Sequence, residues 1–287
     1  MNARIGTESQ AFGGLWTREK LSILQRYLDA YTTALKNQPF SLMYVDAFAG
    51  TGRVALPGKD CEDLQELIRG SAGIALNIQD KRFDRLIFVE QDLDRCSELE
   101  DLKGTHSGQC VEIIRSDANQ FLISLQEDWR KSRGVLFLDP FATEVEWETV
   151  RRISEFKALD MWILFPVGAI QRMLPTRRLP DDIDSAWVRR LTTVFGGDSW
   201  RELYGKSPQG TLFGDEEFGR DPGSDGLLRI YKDQLARLFG SRFLEVSRPL
   251  RNSKNSVLFE LLFCVGNDSP KAIGTAKRIA KHILEHL

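Results

Sequence analysis

Apolar residues recur along this chain in two alternating rhythms. Leu21, Ile23, Leu24, Tyr27, Leu28, Tyr31 and Leu35 fall at helical spacing, which predicts an amphipathic helix over 17–35. The next apolar run, Ser41-Leu42-Met43-Tyr44-Val45-Asp46, is short and leads straight into Ala47-Phe48-Ala49-Gly50-Thr51-Gly52. That reads as a buried strand ending in a tight glycine turn. The pair of signals then repeats. Strands are predicted over 85–90, 111–114, 134–138 and 160–165, with helices over 92–102, 120–129 and 147–156 between them. Gly70-Ser71 can cap a further helix running through Ala75 and Ile78.

Five short apolar strands separated by helices predict an α/β fold with a mostly parallel sheet covered on both faces. After Phe165 the pattern changes. Residues 166–204 read as irregular helix, and 205–226 are rich in Gly, Ser, Pro and Asp without a period, which predicts a mobile loop. A helix over 227–239 follows, then strands over 242–249 and 256–265 joined by Asn252-Ser253-Lys254-Asn255 as a β-hairpin. A closing helix over 270–286 has Pro270 at its start. The expected organisation is a core over 1–165, a helical insertion with a loop over 166–226 that forms a substrate wall, and a return to the core over 227–287.

Composition narrows the class. With 39 Lys+Arg against 41 Asp+Glu, the formal charge of −2 argues against a protein that coats nucleic acid through bulk charge. The 4 cysteines form no C-x-x-C pair and there are only 3 histidines, so no metal cluster is expected. Cys264 lies in an apolar strand and is expected in the core. The N-terminal segment MNARIGTESQ has no apolar stretch of the signal-peptide kind, and no run approaches a membrane span. A reduced, cytoplasmic protein is expected.

The polar residues of interest stand at strand ends: Asp46, Glu90, Asp117 and Asp139. In parallel sheets ligands bind beyond the carboxyl ends of the strands. Gly50 and Gly52 sit where backbone can approach a ligand closely, or where it merely closes a turn. A third glycine of the dinucleotide fingerprint is missing, since Ala55 stands three residues after Gly52, and about 18 residues separate Gly52 from Gly70. The turn therefore suits a ligand without a pyrophosphate, which disfavours a nicotinamide-dependent oxidoreductase. Glu90 can accept both hydroxyls of a ribose, or start the following helix. Asp117 can meet an exocyclic amine, or cap a helix through Gln120. Together the acidic strand ends describe an adenosine-shaped site. In Phe137-Leu138-Asp139-Pro140-Phe141, Pro140 fixes the backbone, Phe141 offers a stacking face and Asp139 can hold an amino group, while a plain Asp-Pro turn is the alternative.

The stretches 44–52, Phe88-Val89-Glu90, Asp117-Ala118-Asn119 and 137–141 resemble successive signatures of class I S-adenosylmethionine (SAM)-dependent methyltransferases. More narrowly, Thr17-Arg18-Glu19-Lys20-Leu21, the D-A-F-A-G-T-G turn, Gly70-Ser71, D-P-F followed by Trp147, Trp162-Ile163-Leu164-Phe165-Pro166 and the Pro270-Lys271-Ala272-Ile273 helix resemble the three-Cys-motif partner (TcmP) proteins. The resemblance covers nearly the whole chain and is weakest over 205–226. It implies a Rossmann-like sheet of seven strands with a C-terminal antiparallel hairpin. It also implies SAM at the carboxyl edge, with S-adenosylhomocysteine (SAH) as product. Asp46, Phe48, Gly50 and Gly52 would surround the methionine part, Glu90 would hold the ribose, and Asp117 with Ala118 would lie near the adenine. Asp139, Pro140 and Phe141 align with the amine-methylating D-P-P-Y pattern but depart from it: Phe141 stands where the second proline would be, and Ala142 where the aromatic would be.

Transfer of a methyl group to an amine, on a nucleic-acid base, is the activity this implies. The alternative is a non-catalytic scaffold acting with a three-Cys-motif protein. The arginines Arg172, Arg177, Arg178, Arg189, Arg190 and Arg201 lie among Asp181, Asp182, Asp184 and Asp198, which reads as a solvated helical face rather than a phosphate patch. Trp147, Trp187 and Trp200 read as packing residues.

Overall fold

The computed structural model describes residues 15–52, 70–176, 180–206, 218–220 and 224–286. The first helix, α1 (Leu15–Leu35), leads into β1 (Ser41–Asp46). The chain continues through α2 (Ser71–Leu76), β2 (Arg85–Glu90), α3 (Leu93–Gly104), β3 (Val111–Arg115), α4 (Ala118–Ser124), β4 (Ser132–Leu138), α5 (Trp147–Phe156) and β5 (Leu159–Phe165). After β5 come α6 (Val167–Met173), α7 (Ser185–Phe195), β6 (Tyr204–Lys206), β7 (Phe218–Arg220) and α8 (Asp225–Phe239). The hairpin β8 (Phe243–Arg251) and β9 (Val257–Cys264) and the helix α9 (Pro270–Glu285) complete the fold.

The seven-stranded sheet has the order β3-β2-β1-β4-β5-β9-β8. Strands β1 to β5 run parallel, β9 is antiparallel to β5, and β8 pairs antiparallel with β9 at the edge. This is the seven-stranded Rossmann-like sheet, with its antiparallel final hairpin, that the sequence resemblance implies.

Strand alternation builds two cores, one on each face of the sheet. Met43, Val45, Ile87, Val89, Leu136, Leu138, Met161 and Ile163 point to one face and pack under α4, α5, α6, α7 and α8. Leu42, Tyr44, Leu86, Phe88, Val135, Phe137, Trp162 and Leu164 point to the other, under α1, α2, α3 and α9. Both faces being covered explains why these strands read as continuous apolar runs rather than half-polar ones. The helices of segment 166–226 share the first core, through Val167, Ile170, Leu191, Val194 and Phe195.

Three local expectations change. The helix expected over 120–129 is α4, which starts at Ala118 because Asp117 caps it and ends at Ser124, where Leu125 turns extended. Trp129 instead stacks on Phe156 with ring centroids 4.6 Å apart. The segment expected as loop over 205–226 carries an antiparallel ribbon of β6 and β7 with Gly205 opposite Gly219, and Asp225 already begins α8. A three-residue ladder with glycine opposite glycine has no apolar alternation to announce it. Residues 207–217 and 221–223 lie outside the described residues, as do Cys61, Arg177 and Arg178. Trp187 is 44% exposed on α7 rather than packed, whereas Trp200 and Cys264 are fully buried as expected. Among the described residues, no helix is long and apolar enough to cross a membrane.

Candidate functional site

The sheet order reverses between β1 and β4, and the crevice beyond the carboxyl ends of the strands opens there. A cavity of about 500 Å³ occupies it. Phe48, Gly50, Glu90, Asp117, Ala118, Asp139, Pro140 and Phe141 all line it. Asp46 and Gly52 stand behind this wall.

The turn after β1 is stitched to its neighbours by backbone bonds: Ala47 N–H to the Phe137 carbonyl at 3.1 Å and Ala49 N–H to the Val89 carbonyl at 3.0 Å. Both glycines of the turn are left-handed, Gly50 at φ 59° and Gly52 at φ 67°. They serve different neighbours. A Cβ on Gly50 would meet nothing within 4 Å, whereas one on Gly52 would stand 2.7 Å from Leu102 Cδ2 and 3.2 Å from Leu99 Cδ2. Gly50 leaves room at the cavity, and Gly52 lets α3 close onto the turn.

Asp46 is fully buried. It accepts the Tyr44 hydroxyl at 3.3 Å and the Phe48 N–H at 3.4 Å. Burial pushes its carboxyl up to about 7; the Ser71 hydroxyl and the Phe48 N–H oppose that rise, and nearby Asp139 adds to it. It holds the turn from behind the cavity wall.

Glu90 ends β2 with Oε1 accepting the N–H groups of Gln91 and Asp92, at 2.8 and 2.9 Å. Arg95 Nη1 lies 3.8 Å from Oε2. The carboxylate is thereby oriented by backbone, and Oε2 is the oxygen left to accept from a ligand. Asp117 does cap α4, accepting Gln120 N–H at 3.0 Å, and it lines the cavity as well. The capping and ligand readings are therefore not exclusive. Asn119 pins the loop after β4: its Oδ1 accepts from Glu146 N–H at 3.1 Å and Thr149 Oγ1 at 2.8 Å, and its Nδ2 donates to the Glu144 carbonyl at 2.9 Å. That loop holds Pro140 at the wall and leaves Phe141 63% exposed at the mouth.

Helix α1 supplies what the strand ends alone do not announce. Lys20 is buried and forms an ion pair with Asp139 Oδ2. Its ammonium also lies 5.2 Å from the centre of the Trp16 ring. Trp16 in turn stacks on Phe259 of β9 with centroids 5.3 Å apart. Thr17 lines the cavity with a buried hydroxyl that has no partner among the described residues. On the opposite side Arg190 of α7 donates to Thr143 Oγ1 at 3.1 Å, tying the insertion to the loop after β4. The helical pattern of 17–35 showed only α1's apolar face; Lys20 was the one cation on that face, and this was the available signal.

No protein-family model matches the sequence, and no curated protein matches it. In fold, the chain is similar to protein LPL1258 of Legionella pneumophila strain Philadelphia 1, of family-model DUF519, at 16% identity over 95% of this chain and 94% of that one, with a TM-score of 0.50. Trm1 from Pyrococcus horikoshii, solved with S-adenosyl-L-methionine, is similar at 10% identity over 93% of this chain and 58% of that one, TM-score 0.43. An S-adenosylmethionine-dependent methyltransferase from Clostridium acetobutylicum is similar at 12% identity over 85% and 92%, TM-score 0.37. At these identities the likeness is one of fold.

Proposed function

We propose that the protein is a SAM-dependent methyltransferase. The observation that carries this reading is the single cavity at the topological switch point, where a glycine turn and acidic ends of β2 and β3 meet Asp139-Pro140-Phe141. Its volume of about 500 Å³ lies within the ordinary range for small-molecule sites. The donor set fits the cofactor. Glu90 Oε2 suits ribose hydroxyls, Asp117 suits the adenine amine, and Phe48, Gly50 and the orphan hydroxyl of Thr17 surround room for the methionine part. When bound, SAM would supply a methyl group on a sulfonium, which passes in line to a nucleophile as the sulfur leaves as the neutral thioether of SAH.

The chain's own task is then to bind, orient and exclude water. Asp139 accepts an N–H of a substrate amine and takes up the proton that the amine sheds. The Lys20 ammonium on Oδ2 holds that carboxylate in place and leaves Oδ1 for the amine. Phe141, exposed beside Pro140, offers a planar face to an aromatic acceptor, and the Trp16–Phe259 stack closes the facing side. These features suit an amine on a nucleic-acid base. Membership of the TcmP group and association with a three-Cys-motif protein belong to the same proposal, as does a cytoplasmic location. The Lys20–Asp139 pair also supports a second reading, in which the methyltransferase fold serves as a non-catalytic scaffold for that partner.

Calorimetric titration with SAM and SAH tests the cofactor. A micromolar constant, about −8 kcal/mol, lost in Glu90→Ala, is expected. Radiolabelled SAM offered with RNA, DNA and protein then tests transfer. Asp139→Ala should keep SAM binding and lose transfer. Binding without transfer to any acceptor, together with a tight complex with a three-Cys-motif protein, would select the scaffold reading.

A further inference from the structure

A second cavity, of about 340 Å³, lies at the opposite edge of the sheet, where β4 and β5 begin and α1 packs against α9. Its walls combine apolar and aromatic side chains, Tyr31, Phe40, Ala276 and Ile279 among them, with polar ones. That is the composition of a small-molecule pocket rather than a packing defect.

The polar groups are arranged in two tiers. At the rim, the Arg133 guanidinium lies over the Phe40 ring at 4.4 Å and is anchored through Nη1 to the carbonyls of Ser132, at 2.7 Å, and Trp129. With Nη1 so held, Nη2 has no protein acceptor among the described residues. Lys271, in the first turn of α9, lines the same cavity, exposed and without an ion-pair partner among the described residues. There the Ser269 hydroxyl accepts Ala272 N–H at 3.3 Å and Pro270 has no N–H, so the Lys271 N–H has no acceptor among the described residues. Two cations and the first turn of α9 thus line one cavity, where an anion is favoured. At the floor, Asp160 is buried, with Oδ2 accepting the Tyr27 hydroxyl at 2.6 Å and Oδ1 accepting Gly266 N–H at 2.7 Å. Each of its oxygens keeps a second lone pair for a further donor.

We propose that this cavity is a ligand site for a small carboxylic acid, bound with its carboxylate between Arg133 and Lys271, its apolar body against Tyr31 and Ile279, and a terminal hydroxyl donating to Asp160. The two tiers exclude simpler occupants. A purely apolar molecule would leave Asp160 against hydrocarbon, and a short inorganic anion would reach only the rim. The site is separated from the cofactor cavity by the length of the strands, so the two can be filled together.

The test uses the full chain and 4-hydroxyphenylacetate as probe, followed by calorimetry. Phenylacetate, which lacks the hydroxyl, and 4-hydroxyphenethyl alcohol, which lacks the carboxylate, serve as comparisons. Saturable binding of one equivalent is expected, weakened about tenfold or more by removal of either end group. Lys271→Glu and Ala272→Trp alter the rim and fill the cavity from a helix surface, so both should fold with near-normal melting temperatures and bind the probe at least tenfold more weakly. Glu90→Ala should bind it as the wild type does, even where that variant has lost SAH. No saturable binding at millimolar probe, binding undiminished in both rim variants, or binding abolished by Glu90→Ala would each overturn the assignment.

Discussion

Lys20 and Asp139 meet across 119 residues of sequence, and the pair sets the first prediction at the scale of single residues. A buried ammonium on the carboxylate holds that carboxylate in place, and its loss frees Asp139 to rotate. Lys20→Met should therefore leave SAH affinity within a few-fold while lowering methyl transfer by about 10²-fold or more, the usual weight of a positioned acid–base group. Equal loss of SAH binding and transfer would show that Lys20 serves the cofactor instead. Asp46 carries a prediction of a different kind. Burial raises its carboxyl to about 7, and burial likewise raises Asp160 to about 6. Both lie above the ordinary carboxylate value, so between roughly pH 4 and pH 7 the native state holds protons that the unfolded chain has released. Their contribution to stability is present at low pH and is lost as pH rises, by up to about 1.4 kcal/mol per pH unit for each group. Urea unfolding at pH 5 and pH 7.5 should show the slope, and Asp46→Asn should flatten it. An unchanged slope in that variant would assign the dependence elsewhere. The acidic strand ends were legible in the sequence because each closes an apolar run. Lys20 showed only as a cation on the apolar face of α1; its partner did not show, because only the packing of α1 over the sheet brings it to Asp139.

Elements decide which of two roles such a residue plays. Asp117 is both the cap of α4 and a wall of the cavity, and Asp117→Ser separates the two. Serine caps as well as aspartate does, so the melting temperature should stay near wild type, whereas alanine should cost about 1 kcal/mol. If the carboxylate also meets the adenine amine, SAH affinity should fall in both variants; full affinity in Asp117→Ser would leave only the cap. The glycine turn divides in the same way. Gly52→Ala would drive a Cβ into Leu102 and Leu99 of α3 at a left-handed residue, and about 2–3 kcal/mol of stability should be lost. Gly50→Ala meets open space, so only the backbone cost of about 1 kcal/mol is expected, with the larger effect on SAH binding. Chemical denaturation beside calorimetry distinguishes the two. Element types were readable wherever apolar period and length agreed, as in β1 to β5 and α1. They were misread where a single cue stood alone: Trp129 suggested a longer α4, but the ring is held by Phe156 across the fold. The ribbon of β6 and β7 was illegible for the converse reason, being too short and too rich in glycine to show any period.

The whole molecule has two edges, and α1 runs between them. Trp16, Thr17 and Lys20 at its start line the cavity at the carboxyl edge, while Tyr27, Tyr31 and Leu35 further along line the one at the amino edge. The sequence showed this helix as a single apolar stripe, since both cavities are bordered by the same face that fills the core. It showed the architecture more fully than the site, because alternation along a strand is local and cavity walls are assembled from distant segments. The last prediction belongs to this scale. A ligand that binds only the folded state stabilises the whole fold by mass action, whatever element it touches. SAH at about 100 times its dissociation constant should add about 2.7 kcal/mol, a rise of several degrees in melting temperature for a chain of this size. NAD at the same concentration should add nothing, because the turn after β1 lacks the third glycine of a pyrophosphate site. The rise should vanish in Glu90→Ala and persist in Asp139→Ala, since the first residue is assigned to the cofactor and the second to the acceptor. A rise that survives Glu90→Ala would move the cofactor away from the end of β2. Its absence in the wild type would remove SAM from the account and leave the fold as scaffold.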